Sequence, residues 1–106
     1  MDIRSGYPEA ILEAVTDEGE GADIIMIKPA LTYLDVVRQV SDVVSRPVAV
    51  FNVSGEYSMI KSAALKGCID EKSSVLEAMY CFKRAGCNAV LTYYTPEIIK
   101  WLDGNK

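Results

Sequence analysis

Histidine is absent from this 106-residue chain. With it go the commonest general base, every Ser-His or Cys-His nucleophile pair and any zinc site that needs imidazole. Cysteine is scarce: Cys68, Cys81 and Cys87 form an odd set without C-x-x-C spacing, which reads as reduced, mostly buried apolar side chains. No apolar run reaches the length of a membrane span or a signal-peptide core, so no membrane partner is expected and a cytoplasmic address follows by default. Basic charge is also thin. Eleven Lys and Arg stand against fifteen Asp and Glu, a formal charge of −4, and only Lys83 and Arg84 are adjacent. Nucleic acid is therefore excluded as a partner, since no basic patch or aromatic ladder is present to hold it. What chemistry the chain performs must rest on lysine, tyrosine and carboxylates.

Half of the residues are hydrophobic and a quarter charged, the balance of an ordinary globular protein. No linker composition interrupts residues 1–106, which read as one domain with one core. Apolar spacing at Ala10, Ile11, Ala14 and Val15 predicts a helix from Pro8 to about Asp17, with Glu13, Asp17 and Glu18 on its wetter side. A strand from Asp23 to Lys28 follows. Thr32 is a plausible N-cap for a helix to about Val44 that turns Tyr33, Val36, Val37, Val40 and Val44 to one face. After Arg46-Pro47 a second buried strand, Val48 to Val53, leads through Ser54-Gly55-Glu56 into a helix that stops at Gly67. Asp70 then caps a long helix, read as a decoration, with Val75, Leu76, Met79 and Phe82 inward and Gly86 as its stop. A third strand, Asn88 to Tyr94, opens through Thr95 as N-cap and Pro96 as first helical residue into a last helix.

Strand and helix alternate three times, which predicts an α/β fold with parallel pairing. Such units build either an open doubly wound sheet or part of an eight-stranded barrel, and both put function at the carboxyl ends of the strands. Lys28, Ser54 and Tyr93 occupy those ends. A lysine closing an apolar strand covered on both faces is drawn from water, which favours the neutral amine that attacks carbonyls. The plainer alternatives are that Lys28 snorkels to solvent, Ser54 caps its helix, and Tyr93 and Tyr94 fill the strand or the core. Gly19-Glu20-Gly21 is a poor phosphate cradle, with too few glycines and acids on its flanks.

Three blocks, in this order, carry a resemblance: Gly21 to Tyr33 around Lys28, Val53-Ser54-Gly55-Glu56-Tyr57, and Phe82-Lys83-Arg84-Ala85-Gly86 with Thr92-Tyr93-Tyr94. From about Pro8 to Leu102 the chain resembles the C-terminal third of the porphobilinogen synthase family, also called 5-aminolevulinate dehydratase. The resemblance implies a TIM-type (β/α)8 barrel and a hydro-lyase that condenses two molecules of 5-aminolevulinate to porphobilinogen in haem biosynthesis. It further implies Lys28 as the Schiff-base lysine of the propionate-side pocket, and Ser54 and Tyr93 as hydroxyls that hold that substrate's carboxylate. Glu13 aligns with a carboxylate near an allosteric magnesium. The family uses zinc and/or magnesium, and its zinc ligands, second lysine and basic carboxylate-binding residues have no counterpart here. Asn52 departs from the larger polar residue usual at its position.

A barrel of this type takes about 250 residues, so the chain is expected to be a partial barrel of the last three strand/helix units. It would then need either a complementary N-terminal part or self-association; the family commonly forms homo-oligomers. The competing readings are a non-catalytic remnant that acts only through association, and another Schiff-base lyase of the class I aldolase type.

Overall fold

The computed structural model describes residues 7–104. The order of elements is α1 (Tyr7–Gly19), β1 (Ile25–Ile27), a 3₁₀ turn (Leu31–Tyr33), α2 (Leu34–Val43), β2 (Val48–Asn52), α3 (Ser54–Leu65), α4 (Glu71–Ala85), β3 (Ala89–Thr92) and α5 (Thr95–Asp103). The strands form one parallel sheet in the order β1-β2-β3, with Ile27 paired to Val50 and Val50 to Val90. Successive strands are neighbours throughout, so the described sheet contains no reversal of order.

Alternation along each strand divides the side chains between two faces. Ile25, Ile27, Val48 and Val50 point into a core with Ala10 and Ala14 of α1, Val37 and Val40 of α2, and Ala78 and Phe82 of α4. The opposite face carries Met26, Ala49, Phe51, Ala89 and Leu91, and no described helix covers it: Met26 and Leu91 are 47% and 45% exposed. The expectation of a first strand covered on both faces is therefore corrected. The molecule is a slab of 43 × 33 × 19 Å with a radius of gyration of 15.0 Å, against about 13 Å for a compact domain of this length.

Further local expectations change. α4 is no decoration, because Ala78 and Phe82 bring it into the core, whereas α3 buries only Glu56. Thr32 lies inside the 3₁₀ turn and caps nothing; α2 starts after Tyr33 without a side-chain cap. Thr95 is the first residue of α5, and its hydroxyl donates back to the Thr92 carbonyl at 2.8 Å. Cys68 is exposed rather than buried, while Cys81 and Cys87 are half-buried; burial pushes the Cys87 thiol pKa up.

Other signals hold. Asp70 caps α4 by accepting from the Ser73 amide at 2.9 Å, and Gly86 ends that helix at φ 111°. Gly86 also lies against α2, where an added Cβ would stand 2.8 Å from Ser41 Cβ. A Gly86→Ala substitution would combine left-handed strain with overpacking, so a loss of about 2–4 kcal/mol is expected. Urea denaturation with an unchanged midpoint would refute that account.

Candidate active site

The carboxyl ends of the strands form one rim. Lys28 directly follows β1, Ser54 opens α3 just beyond β2, and Tyr93 directly follows β3. Extending the register from Ile27 and Val50 puts Lys28 level with Phe51, and Phe51 pairs with Leu91. The alternation then carries Lys28 and Tyr93 onto the face free of helices.

The three residues share this rim without sharing a cleft. Lys28 lines a cleft of about 200 Å³ with Glu13, Asp17 and Met26 along the β1 edge. Tyr93 lines another of about 310 Å³ with Phe51, Leu91, Thr92 and Thr95 along the β3 edge. Ser54 lines neither. Lys28 is solvent-exposed, so the enclosure expected of a doubly covered strand does not come from the described elements.

The plainer readings of Ser54 and the tyrosines can now be separated. Val53 occupies the N-cap position of α3 and no side chain caps that helix, which leaves the Ser54 hydroxyl outside that role. Tyr94 is fully buried and is core, whereas Tyr93 is 54% exposed. The Tyr93 ring rests on Phe51 and Tyr57, with centroids 6.2 and 5.8 Å away, and Tyr57 packs on Tyr94 at 4.7 Å. This aromatic row fixes the plane from which the Tyr93 hydroxyl projects.

Two polar arrangements support the rim. Below Tyr93, Tyr94 donates to Glu71 at 3.0 Å, and Glu71 pairs with Lys61 at 2.9 Å. Across the strands, the Asn52 amide and the Tyr94 backbone N–H both donate to Thr92 Oγ1 at 3.1 Å. Asn52 is thus a fully buried tie between β2 and β3.

Glu56 is the residue that sequence reasoning missed. It is 3% exposed, and its Oε2 accepts from the Ala30 and Leu31 amides at 3.0 and 2.8 Å. Those are the first two N–H groups after Lys28, because Pro29 has none. The only signal was an acid in the first turn of a helix after an apolar strand; its partners lie 25 and 26 residues away, beyond any local pattern.

Glu13 is exposed on α1 and shares the β1-edge cleft with Asp17. Among the described residues no group of three His, Cys, Asp or Glu side chains is placed to hold a metal ion. These residues do not fit a metal site by themselves, and no chemical step is routed through one. Among them, too, no helix is long and apolar enough to cross a membrane.

A parallel α/β sheet with a lysine, a serine and a tyrosine at three successive strand ends defines a protein that works from the carboxyl rim of its sheet. A family model described as delta-aminolevulinic acid dehydratase matches residues 1–101, and the chain belongs to that family. It is 57% identical over 102 residues to the chloroplastic delta-aminolevulinic acid dehydratase of Chlamydomonas reinhardtii, covering 96% of this chain and 26% of that protein. The Halalkalibacterium halodurans enzyme is 52% identical over 98 residues, covering 92% of this chain and 30% of that protein. The crystal structure of the Toxoplasma gondii ME49 enzyme, also called porphobilinogen synthase and solved with the reaction product porphobilinogen, superposes with a TM-score of 0.96 at 47% identity. That match covers all of this chain and 30% of the other. The chain therefore spans between a quarter and a third of the length of these relatives.

The Lys61–Glu71 pair carries a pH dependence. The hydrogen bond from Lys61, with a smaller contribution from Tyr94, holds the Glu71 carboxyl below its ordinary value, and the same pair raises Lys61. The Glu71 contribution is whole above its unfolded pKa and is lost as pH falls through the depressed native value, roughly between pH 5 and 3. Glu71→Gln is expected to melt several degrees below the parent chain at pH 7 and to converge with it near pH 3. Parallel melting curves across that range would contradict this origin.

Proposed function

We propose that this chain is a partial TIM barrel that carries the propionate-side half of a porphobilinogen synthase active site, with Lys28 as its Schiff-base lysine. The observation that carries the reading is the shared rim of Lys28, Ser54 and Tyr93 in a chain that belongs to this family. The consecutive strand order supports a barrel segment over a doubly wound sheet, whose switch point needs a reversal.

The chemistry follows from the residue types. The unprotonated Lys28 amine adds to the ketone carbon of 5-aminolevulinate, and the carbinolamine loses its oxygen as water. The protonated imine that results draws electrons from the adjacent carbon, which can then lose a proton and form the new carbon–carbon bond. The Ser54 and Tyr93 hydroxyls donate to the substrate carboxylate. Neighbouring strands lie about 4.8 Å apart, so the rim from β1 to β3 spans about 10 Å. That width suits a five-carbon keto acid held at its carboxylate by one side and at its ketone by the other.

In this reading the second substrate molecule, the second lysine and the metal ligands belong to a complementary N-terminal portion. Glu13 would touch the shell of a magnesium ion completed by groups outside this chain. A cytoplasmic location is retained as part of the proposal. The open face with Met26 and Leu91 favours a second reading, association without catalysis, in which the chain self-associates and leaves the substrate unmodified.

Incubation with 5-aminolevulinate followed by borohydride reduction, with and without the complementary N-terminal fragment of a relative, separates them. Mass spectrometry is expected to find the adduct at Lys28 and to lose it in Lys28→Met. Ser54→Ala is expected to raise the half-saturating substrate concentration about tenfold through loss of one charge-assisted hydrogen bond. A folded chain with no Lys28 adduct in either mixture would sink the catalytic reading in favour of association.

A further inference from the structure

We infer that Glu56 is a positioning residue for Lys28: a single buried carboxylate fixes the turn that aims the lysine, and does so from the helix that presents Ser54. The inference rests on the catalytic reading of Lys28 and extends it to a residue that touches no substrate.

The geometry is unusual for an acidic side chain. Glu56 lies in the first turn of α3, where the helix dipole favours a negative charge, yet its side chain is turned inward and buried. Its Oε2 takes both amides that follow Pro29, opening the 3₁₀ turn and then α2. That turn has no cap of its own and α2 has none either. The backbone leaving Lys28 is thus held from β2's exit rather than by local hydrogen bonds. One carboxylate sets the spacing between the strand ends that carry Lys28 and Ser54.

Oε1 accepts no hydrogen bond among the described residues. A glutamine could therefore keep its carbonyl oxygen on the two amides and place its NH2 where Oε1 lies, displacing no existing bond. An alanine loses both bonds. An aspartate keeps the charge but falls one methylene short of the two amides. The three variants separate placement from charge.

The experiment is borohydride trapping on the chain, or on its complex with the N-terminal fragment if trapping requires it, with the rate followed against 5-aminolevulinate concentration. Circular dichroism and hydrogen exchange are run on the same samples. Misplacement of a reacting group by about 1 Å can cost ~100-fold. Glu56→Ala and Glu56→Asp are therefore expected to lower the maximal trapping rate about 10- to 100-fold, with half-saturation changed less than about threefold. Both should expose the Ala30 and Leu31 amides to exchange. Glu56→Gln is expected to stay within about threefold of the parent chain in every readout, since it keeps the acceptor. If Glu56→Ala does not fold, the comparison of aspartate with glutamine decides. Trapping at the parental rate in folded Glu56→Asp with the two amides exchanging freely would overturn the inference. So would a loss in Glu56→Gln equal to that in Glu56→Asp, which would point to charge. A parent chain that forms no adduct removes the catalytic reading itself, a result distinct from either.

Discussion

The arrangement at the rim depends on the contact between the Glu56 carboxylate and the two amides after Pro29. Without it the exit of β1 and the exit of β2 are joined only through the sheet, and the chain between Lys28 and α2 has no fixed direction. The energetics explain why such a contact serves geometry more than stability. Two hydrogen bonds to a charged acceptor contribute about 1.5–3 kcal/mol each, while withdrawing a carboxylate from water costs several kcal/mol. These nearly offset one another. What remains is specificity: few backbone paths let two successive N–H groups reach one oxygen.

The same division between scaffold and aim runs through β3. Tyr94 and Tyr93 are neighbours in sequence with opposite fates. Tyr94 turns into the protein, where Glu71 accepts its hydroxyl proton and burial, first among the causes, raises its pKa. Tyr93 turns outward onto Phe51 and Tyr57. Thr92 makes the switch possible by accepting the Tyr94 amide while also receiving Asn52 from β2. A departure in the sequence, Asn52 in place of a larger polar residue, thus takes a defined task here: it ties two strands at the level where both site residues leave the sheet.

Much of the fold was legible in the sequence because its signals are local. The Asp70 cap, the Gly86 stop and the alternation of strand and helix each depend on residues within a few positions of one another. The errors have a common cause in longer-range effects. Thr32 and Thr95 have the right chemistry for capping, but a distant carboxylate serves one turn and the Thr92 carbonyl engages the other hydroxyl. α4 reads as an appendage by order alone, and only packing shows that Ala78 and Phe82 complete the core. The rim positions of Lys28, Ser54 and Tyr93 were legible because a parallel sheet puts every strand end on the same side. Glu56 was not, since nothing in Ser54-Gly55-Glu56 announces a partner so far away in sequence.

Lys28 shows that placement and reactivity are separate properties. Its position is determined by β1, by Pro29 and by the Glu56 contact, all within this chain. An amine that attacks carbonyls near neutral pH also needs dry, low-dielectric surroundings, and the described elements leave Lys28 in water. The face that would enclose it is the one carrying Met26, Phe51 and Leu91, apolar and bare of helices. A sheet face of that composition is stable when another layer covers it, and such a layer would also dehydrate the lysine at its upper edge. Covering the sheet and activating the amine are then one event, which makes the apolar face part of the chemistry although none of its side chains can donate or accept a proton.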